Sequence, residues 1–252
     1  MGWVALVTGG SRGIGEMIAE GYVTHGVKTY ISARKGEACD ATAARLSKIG
    51  ECISIPADLS TAEGIAVLVD EIKAHEDKLD ILVNNAGATW GAPIEEFPES
   101  GWDKIMDINV KSPFFLTQAL LPLLENAASA EDPARIIMVG SVDGLNVSRL
   151  PTFSYGPSKA AIYHLARTLA AHLADRNITA NAIAPGLFPS KMTAATIDAM
   201  GEQIRLGTPL KRHGQAEDMA GVAIYLASRA ASFVMGVVVP VDGGITSAKT
   251  DL

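Results

Sequence analysis

Short aliphatic and β-branched runs alternate with longer stretches of helical periodicity along nearly the whole chain. Val4–Val7, Val27–Ser32, Cys52–Ile55, Ile81–Asn84, Ile136–Gly140, Ile178–Ala184 and Val237–Val241 read as strands. Several are continuously apolar rather than alternating, the pattern of parallel strands covered on both faces. Between them, Ile65, Leu68, Val69 and Ile72 recur at spacings of three and four, which predicts an amphipathic helix over Ala62–His75. Similar patterning predicts helices near Gly13–His25, Trp102–Glu125, Phe153–Asp175 and Ala216–Ser228.

Parallel neighbours need a crossover, and a helix after each strand supplies it. The alternation therefore predicts an α/β chain, a single-domain Rossmann-type doubly wound parallel sheet of about seven strands with helices on both faces. No linker, low-complexity block or internal repeat divides residues 1–252. The segment Gly186–Pro209 breaks the rhythm with a mixture of Pro, Met and small residues. Ligands of open α/β sheets sit beyond the carboxyl ends of the strands, so this irregular insertion is a candidate substrate lid. A surface excursion or a subunit contact is the plainer alternative.

Composition narrows the function. Of 252 residues, 48% are hydrophobic and 19% charged, ample for a core and no case for disorder. Lys and Arg number 21 against 28 Asp and Glu, for a net charge of −7. With no clustered basic run, nucleic acid is not expected as a partner. Cys39 and Cys52 are too few for a disulfide framework or a four-ligand zinc site, and the five histidines are scattered, so no metal is expected. No run reaches the roughly 18 apolar residues of a membrane span. The opening lacks a secretory pattern, and Thr250-Asp251-Leu252 is no retention or peroxisomal signal. A soluble cytoplasmic protein is the expectation.

Directly after the first strand comes Thr8-Gly9-Gly10-Ser11-Arg12-Gly13-Ile14-Gly15, opening the first helix. Glycines 9, 13 and 15 allow a tight turn and close approach of a pyrophosphate to the helix N-terminus. The loop lacks the Gly-Lys-Ser/Thr ending of a nucleotide-hydrolase loop, which argues for a dinucleotide rather than ATP. At the end of the second strand, Arg34 and Lys35 stand where an acid would accept the ribose hydroxyls of NAD. Together with Arg12 they suit a 2′-phosphate, which predicts NADPH/NADP+.

Tyr155 and Lys159 are four residues apart, on one face of a helix whose first turn tolerates Pro157. Ser141 ends a strand fourteen residues upstream. A buried structural tyrosine and a capping serine are the plain alternatives.

These pieces resemble the short-chain dehydrogenase/reductase family along the full length. The matching residues are the Thr8–Gly15 loop, Asp58-Leu59, Asn84-Asn85-Ala86-Gly87, Asn109, Ser141, Tyr155, Lys159, Pro185-Gly186 and Val241-Asp242-Gly243-Gly244. Within the family, the stretch from Pro209 to Asp218 is similar to that of the 3-oxoacyl (β-ketoacyl) reductases. Trp90-Gly91-Ala92, Ser129 to Arg135 and Phe188 to Thr193 look like the rhamnolipid-associated 3-oxoacyl reductases.

The resemblance implies NADPH-dependent reduction of a 3-oxoacyl thioester to the 3-hydroxyacyl product. The same chemistry on another ketone, aldehyde or sugar stays open, as does a non-catalytic NADP(H)-binding sensor, for which the Tyr155–Lys159 pair would be superfluous. Tyr155 is then the proton donor. A phenol with a pKa near 10 is a sluggish acid at neutral pH, and the Lys159 ammonium is expected to lower it. Ser141 would hydrogen-bond the substrate carbonyl, and Asn109 would position a water that refills the relay through Lys159. Gly9, Ser11, Arg12, Gly13, Ile14, Gly15 and Arg34 would hold the cofactor phosphates. Asp58 and Leu59 would flank its adenine, and Asn85, Ala86 and Gly87 its adenosine ribose. Lys159 would hold the nicotinamide ribose beside Tyr155, and Pro185, Gly186, Phe188 and Ser190 would lie along the nicotinamide and its phosphate.

Leu187, Phe188, Met192, Ile197, Met200, Ile204 and Leu206 give the lid apolar surface for an acyl chain. Its carrier is coenzyme A or acyl-carrier protein. Arg176 matches one carrier-docking position of the family, but Glu125 to Asp132 offers no cation before Arg135, so an acidic carrier would meet like charge there. The resemblance also implies a homotetramer with 222 symmetry.

Overall fold

In the computed structural model, which describes residues 2–248, the strands are β1 (Val4–Thr8), β2 (Lys28–Ser32), β3 (Cys52–Ser54), β4 (Ile81–Asn84), β5 (Ala134–Val139), β6 (Ile178–Pro185) and β7 (Val238–Val241). The helices are α1 (Gly13–Thr24), α2 (Gly36–Leu46), α3 (Ala62–His75), α4 (Glu99–Met106), α5 (Ser112–Ala127), α6 (Tyr155–Leu173), α7 (Ala194–Gly207) and α8 (Ala216–Ala227). The residues Thr250 to Leu252 lie outside the described part.

All seven strands lie in one sheet, in the order β3-β2-β1-β4-β5-β6-β7, and every pairing is parallel. The chain winds outward from β1 to β3 and then returns to start β4 on the other side of β1. The carboxyl ends of β1 and β4 therefore flank the switch point, where an open sheet leaves a crevice.

Alternate strand residues feed two cores, as the twofold periodicity of a strand requires. Leu6, Leu82 and Ile136 meet Leu68 of α3, Leu116 of α5 and Ile162 of α6 on one face. Val7, Val83 and Ile137 meet Ile18 of α1, Cys39 of α2 and Met219 of α8 on the other. The cysteines are both buried and free. Among the described residues, no helix is long and apolar enough to cross a membrane, and no group of His, Cys, Asp or Glu is arranged to hold a metal.

Three segments differ from the sequence reading. The stretch Trp102–Glu125, expected as one helix, is α4, a π-helical turn over Asp107–Lys111, and α5. Pro113 has no N–H to give the residue 109 carbonyl, which interrupts the regular ladder there. The segment Gly186–Pro209, expected to be irregular, contains the 14-residue α7, whose only buried residue is Gly201. Finally, α2 was not anticipated: its inward residues include Cys39, Thr42 and Ala43, too small or polar to mark an apolar stripe.

Candidate active site

The crevice at the switch point is held shut at its base by Thr8. Its hydroxyl donates to the Val83 carbonyl at 3.2 Å and accepts from the amides of Asn85 and Ala86 at 2.9 and 3.0 Å. The Asn85 side chain returns a hydrogen bond to the Thr8 carbonyl at 2.8 Å. This stitching brings the loop after β4 against the glycine loop so closely that a side chain at Gly9 or Gly15 would not fit. A Cβ on Gly9 would lie 2.8 Å from Asn85 Nδ2, and one on Gly15 2.3 Å from the Gly9 carbonyl oxygen. Gly9 also has a φ of +66°, where glycine is favoured.

Above this base runs a cleft of about 470 Å³. Gly9, Ser11, Arg12, Gly13, Ile14 and Gly15 line one side, and α1 begins there without a side-chain cap on its first amides. Arg34 and Lys35 stand at the end of β2, with Asp58 and Leu59 opposite. None of Arg12, Arg34 and Lys35 has an ion-pair partner among the described residues, so three cations are free to meet an anion. Burial pushes the Asp58 carboxyl up, but the Ser60 hydroxyl and amide, with Arg34 nearby, outweigh it and leave the group below its ordinary range. Asn85, Ala86 and Gly87 form the middle of the cleft, which ends at Tyr155 and Lys159.

At that end, α6 begins at Tyr155 and Pro157 falls in its first turn, where a missing N–H costs nothing. Lys159 is buried, donates to the Val139 carbonyl at 3.0 Å, and holds its ammonium 5.6 Å from the centre of the Tyr155 ring. Burial lowers the Lys159 pKa to about 8. The phenol was expected to be depressed by this neighbour, and it is not. Burial pushes Tyr155 up to about 12, the Ser141 hydroxyl pulls the other way, and the Asp143 carboxylate adds to the rise. Desolvation penalises the charged form of both groups and is the largest cause of each shift.

Asn109 sits in the π turn with its side chain fully engaged. It donates to the Ala88 carbonyl at 3.0 Å and to Ser158 Oγ at 2.9 Å, and accepts from the Ala88 amide at 2.9 Å. Its own carbonyl would look for a donor four residues on, at Pro113, which has none. Gly87 lies directly over this pair: a Cβ there would come within 2.9 Å of Asn109 Oδ1 and 3.5 Å of Lys159 Nζ.

This geometry has counterparts among known proteins. A family model described as enoyl-(acyl carrier protein) reductase matches residues 9–246. The rhamnolipids biosynthesis 3-oxoacyl-[acyl-carrier-protein] reductase of Pseudomonas aeruginosa is 49% identical over 245 residues, 96% of each chain. The short-chain dehydrogenase/reductase PhomF of Diaporthe leptostromiformis is 32% identical over 96% of this chain and 91% of its own. A solved structure described as the Pseudomonas aeruginosa RhlG/NADP active-site complex superposes with a TM-score of 0.94, at 49% identity, over 97% of this chain and 96% of that one. The chain belongs to the short-chain dehydrogenase/reductase family.

In this short-chain dehydrogenase/reductase, most residues singled out from sequence line the cleft, and five do not. Asn109 stands behind it, bonded to Ala88 and Ser158, and Ser141 reaches it only beside Tyr155, its hydroxyl accepting from the Asp143 amide at 3.2 Å. The other three are Pro185, Gly186 and Phe188. Ser190 lies against the glycine loop, 3.0 Å from where a Gly13 Cβ would be. Phe188, by contrast, is 2% exposed and belongs to the core under α8. Gly214 makes room for its ring, since a Cβ there would sit 2.4 Å from it. Pro185 ends β6, and Gly186 backs onto Asp242, 2.8 Å from a hypothetical Cβ, so neither lines the cleft.

Two residues were missed. Ser32 lines the cleft between β2 and the glycine loop, and its buried hydroxyl has no hydrogen-bond partner among the described residues. Its place two residues before Arg34 was the only available signal. Tyr163 touches the main chain of Ser141, and its position one turn beyond Lys159 could have drawn attention.

Proposed function

We propose that the protein reduces 3-oxoacyl thioesters to 3-hydroxyacyl thioesters with NADPH, Tyr155 serving as proton donor. The observation that carries this is the continuity of one cleft from three cations without an ion-pair partner among the described residues to Tyr155 and the buried Lys159. The residues present fit the cofactor: the glycine loop and uncapped α1 suit its pyrophosphate, and the unpartnered Ser32 hydroxyl with Arg12, Arg34 and Lys35 suits a ribose 2′-phosphate. The Pseudomonas relative of similar sequence, whose structure is described as an NADP complex, supports the same choice.

When bound, NADPH supplies the hydride that reduces the carbonyl carbon. Ser141 donates to the carbonyl oxygen and orients it toward the phenol. Tyr155, kept protonated by burial, gives its proton to that oxygen as negative charge develops. Lys159, its ammonium 5.6 Å from the Tyr155 ring centre, would offset the charge left on the phenol and would hold the nicotinamide ribose. The Asn109 carbonyl, whose partner four residues on is Pro113 with no N–H, would hold the water that returns the proton through Lys159. The segment 186–209 with α7 acts as the lid, and exposed Met192, Met200 and Leu206 cover the acyl chain.

The same reading places the enzyme in the cytoplasm as a homotetramer formed by one domain per chain. Phe114 and Phe115 on α5 and Phe233 and Met235 beside the edge strand β7 are exposed apolar residues on two separate surfaces, which suits two kinds of subunit contact. A monomeric mass by light scattering would contradict this.

The decisive experiment is NADPH oxidation with acetoacetyl-coenzyme A, longer 3-oxoacyl thioesters, the same chains on acyl-carrier protein, and unrelated ketones and sugars. Turnover of the thioesters far above the rest is the expected result. Activity confined to unrelated carbonyls would keep the chemistry and discard the substrate. No turnover with NADPH still bound would point to a sensor.

A further inference from the structure

Where β5 ends, Ser141 leaves the hydrogen-bonded ladder. Gly140 still donates to the Ile183 carbonyl at 2.8 Å, but the next residue finds its main-chain partners elsewhere. The Ser141 amide donates to the Tyr163 hydroxyl at 2.7 Å, and the same hydroxyl donates to the Ser141 carbonyl at 2.5 Å. One phenol oxygen thus grips both main-chain polar groups of the serine whose side chain faces Tyr155.

Tyr163 stands four residues beyond Lys159 and eight beyond Tyr155 on α6, so all three side chains rise from one helix face. Its ring fills space that two glycines leave open. A Cβ on Gly140 would lie 2.2 Å from a ring carbon, and one on Gly144 2.8 Å from the ring and 2.7 Å from the Lys159 main chain. Tyr163 is only 3% exposed. Burial pushes its pKa far above the ordinary phenol range, so the hydroxyl keeps the proton it donates.

We propose that Tyr163 is a positioning residue whose hydroxyl fixes the main chain of Ser141, so that Ser141 and Tyr155 meet the same substrate oxygen. The proposal rests on the reading of Ser141 as the donor to that oxygen. Without the phenol, Ser141 keeps only bonds to its own following turn, the Gly144 amide donating to its carbonyl at 2.9 Å and the Asp143 amide to its hydroxyl at 3.2 Å. The serine can then swing with the turn that follows, and a misplacement of about 1 Å costs up to roughly 100-fold in rate.

The test compares Tyr163→Phe, Ser141→Ala and the double variant, using the carbonyl that the unaltered protein reduces fastest. Rates are taken per NADPH-binding site counted by titration, so any unfolded fraction drops out. Tyr163→Phe is expected to lower kcat by about 10- to 100-fold while the Kd for NADPH stays within about twofold. In the Ser141→Ala background the same change should alter kcat by less than about twofold, because the group it positions is gone. An equal loss in both backgrounds, or a loss of NADPH binding, would mean a general structural role and overturn the proposal. Full activity of Tyr163→Phe beside a slow Ser141→Ala would also overturn it, leaving the serine's role intact. Full activity of Ser141→Ala would remove the serine's role and the positioning with it.

Discussion

Lys159 donates to the carbonyl of Val139, the last residue of β5, and so ties the start of α6 to the strand that delivers Ser141. One hydrogen bond between a helix and a strand end sets the spacing of the residues proposed to handle the proton. The ammonium is buried for this purpose at a cost, and its consequences are measurable.

Tyr155→Phe should keep the fold and the cofactor cleft while removing the only proposed proton donor. Turnover is expected to fall by at least about 100-fold, with the Kd for NADPH changed by less than about twofold in a fluorescence titration. Substantial remaining turnover would sink the assignment.

Lys159 has a folded-state pKa depressed to about 8 by burial, below its unfolded value. The unfolded chain therefore binds the proton more tightly than the folded one, and stability rises with pH between the two values. Below about 8 the full cost of the buried ammonium is present. Lys159→Met should accordingly raise the Tm of the ligand-free protein at pH 7, and the gain should shrink as pH climbs above 8. Thermal melts from pH 6 to 10 would show this. A gain that grows toward pH 10 would contradict it.

Asp143 raises the Tyr155 phenol through its charge, and Asp143→Asn removes that charge without changing the size of the side chain. The pKa of Tyr155 should fall. In the reductive direction, where the protonated phenol is needed, the alkaline limb of the pH–rate profile should move to lower pH. A limb that moves up or stays fixed would show that this carboxylate does not act on the phenol.

Arg34 lines the cleft beside the end of β2 and has no ion-pair partner among the described residues. Arg34→Ala should raise the Kd for NADPH about 10- to 100-fold, the worth of a charge-assisted hydrogen bond, and leave NADH nearly unchanged. Equal weakening of both cofactors would mean that Arg34 does not read the 2′-phosphate.

The surface near Arg176 bears on the acyl carrier. Arg176 is paired with Glu125 at 2.9 Å, and Arg135 is 2% exposed, so neither cation is free to meet an acidic protein. Thioesters on coenzyme A are expected to be reduced at least as fast as on acyl-carrier protein, with little dependence of that ratio on salt. A strong carrier preference that fades with salt would contradict this.

Strands were legible because a buried parallel strand writes an uninterrupted apolar run, as in Ile81–Val83 or Ile136–Val139. Helices showed where large side chains repeat, as in α3, and hid where small ones do. In α2 the inward residues Cys39 and Ala43 carry little contrast. Site residues close in sequence, such as the glycine loop and the Tyr155–Lys159 pair, could be read from spacing alone. Phe188 could not: whether its ring enters the cleft or the core depends on Gly214, twenty-six positions later. Tyr163 sits one turn beyond Lys159, but its role was hidden, since its partner is the main chain of a distant residue, which leaves no mark on side-chain pattern.

The π turn at Asp107–Lys111 makes this part of the chain intolerant of a change in length. A helix turns about 100° per residue, so deleting a single position there would restore an ordinary ladder and rotate everything on one side by that angle. Asn109 would lose Ala88 and Ser158 together, or Leu116 and Leu120 would leave the core. Among chains aligned to this one, a one-residue gap between α4 and α5 would therefore mark a protein without the proton path proposed for Asn109, even if its tyrosine and lysine were still in place.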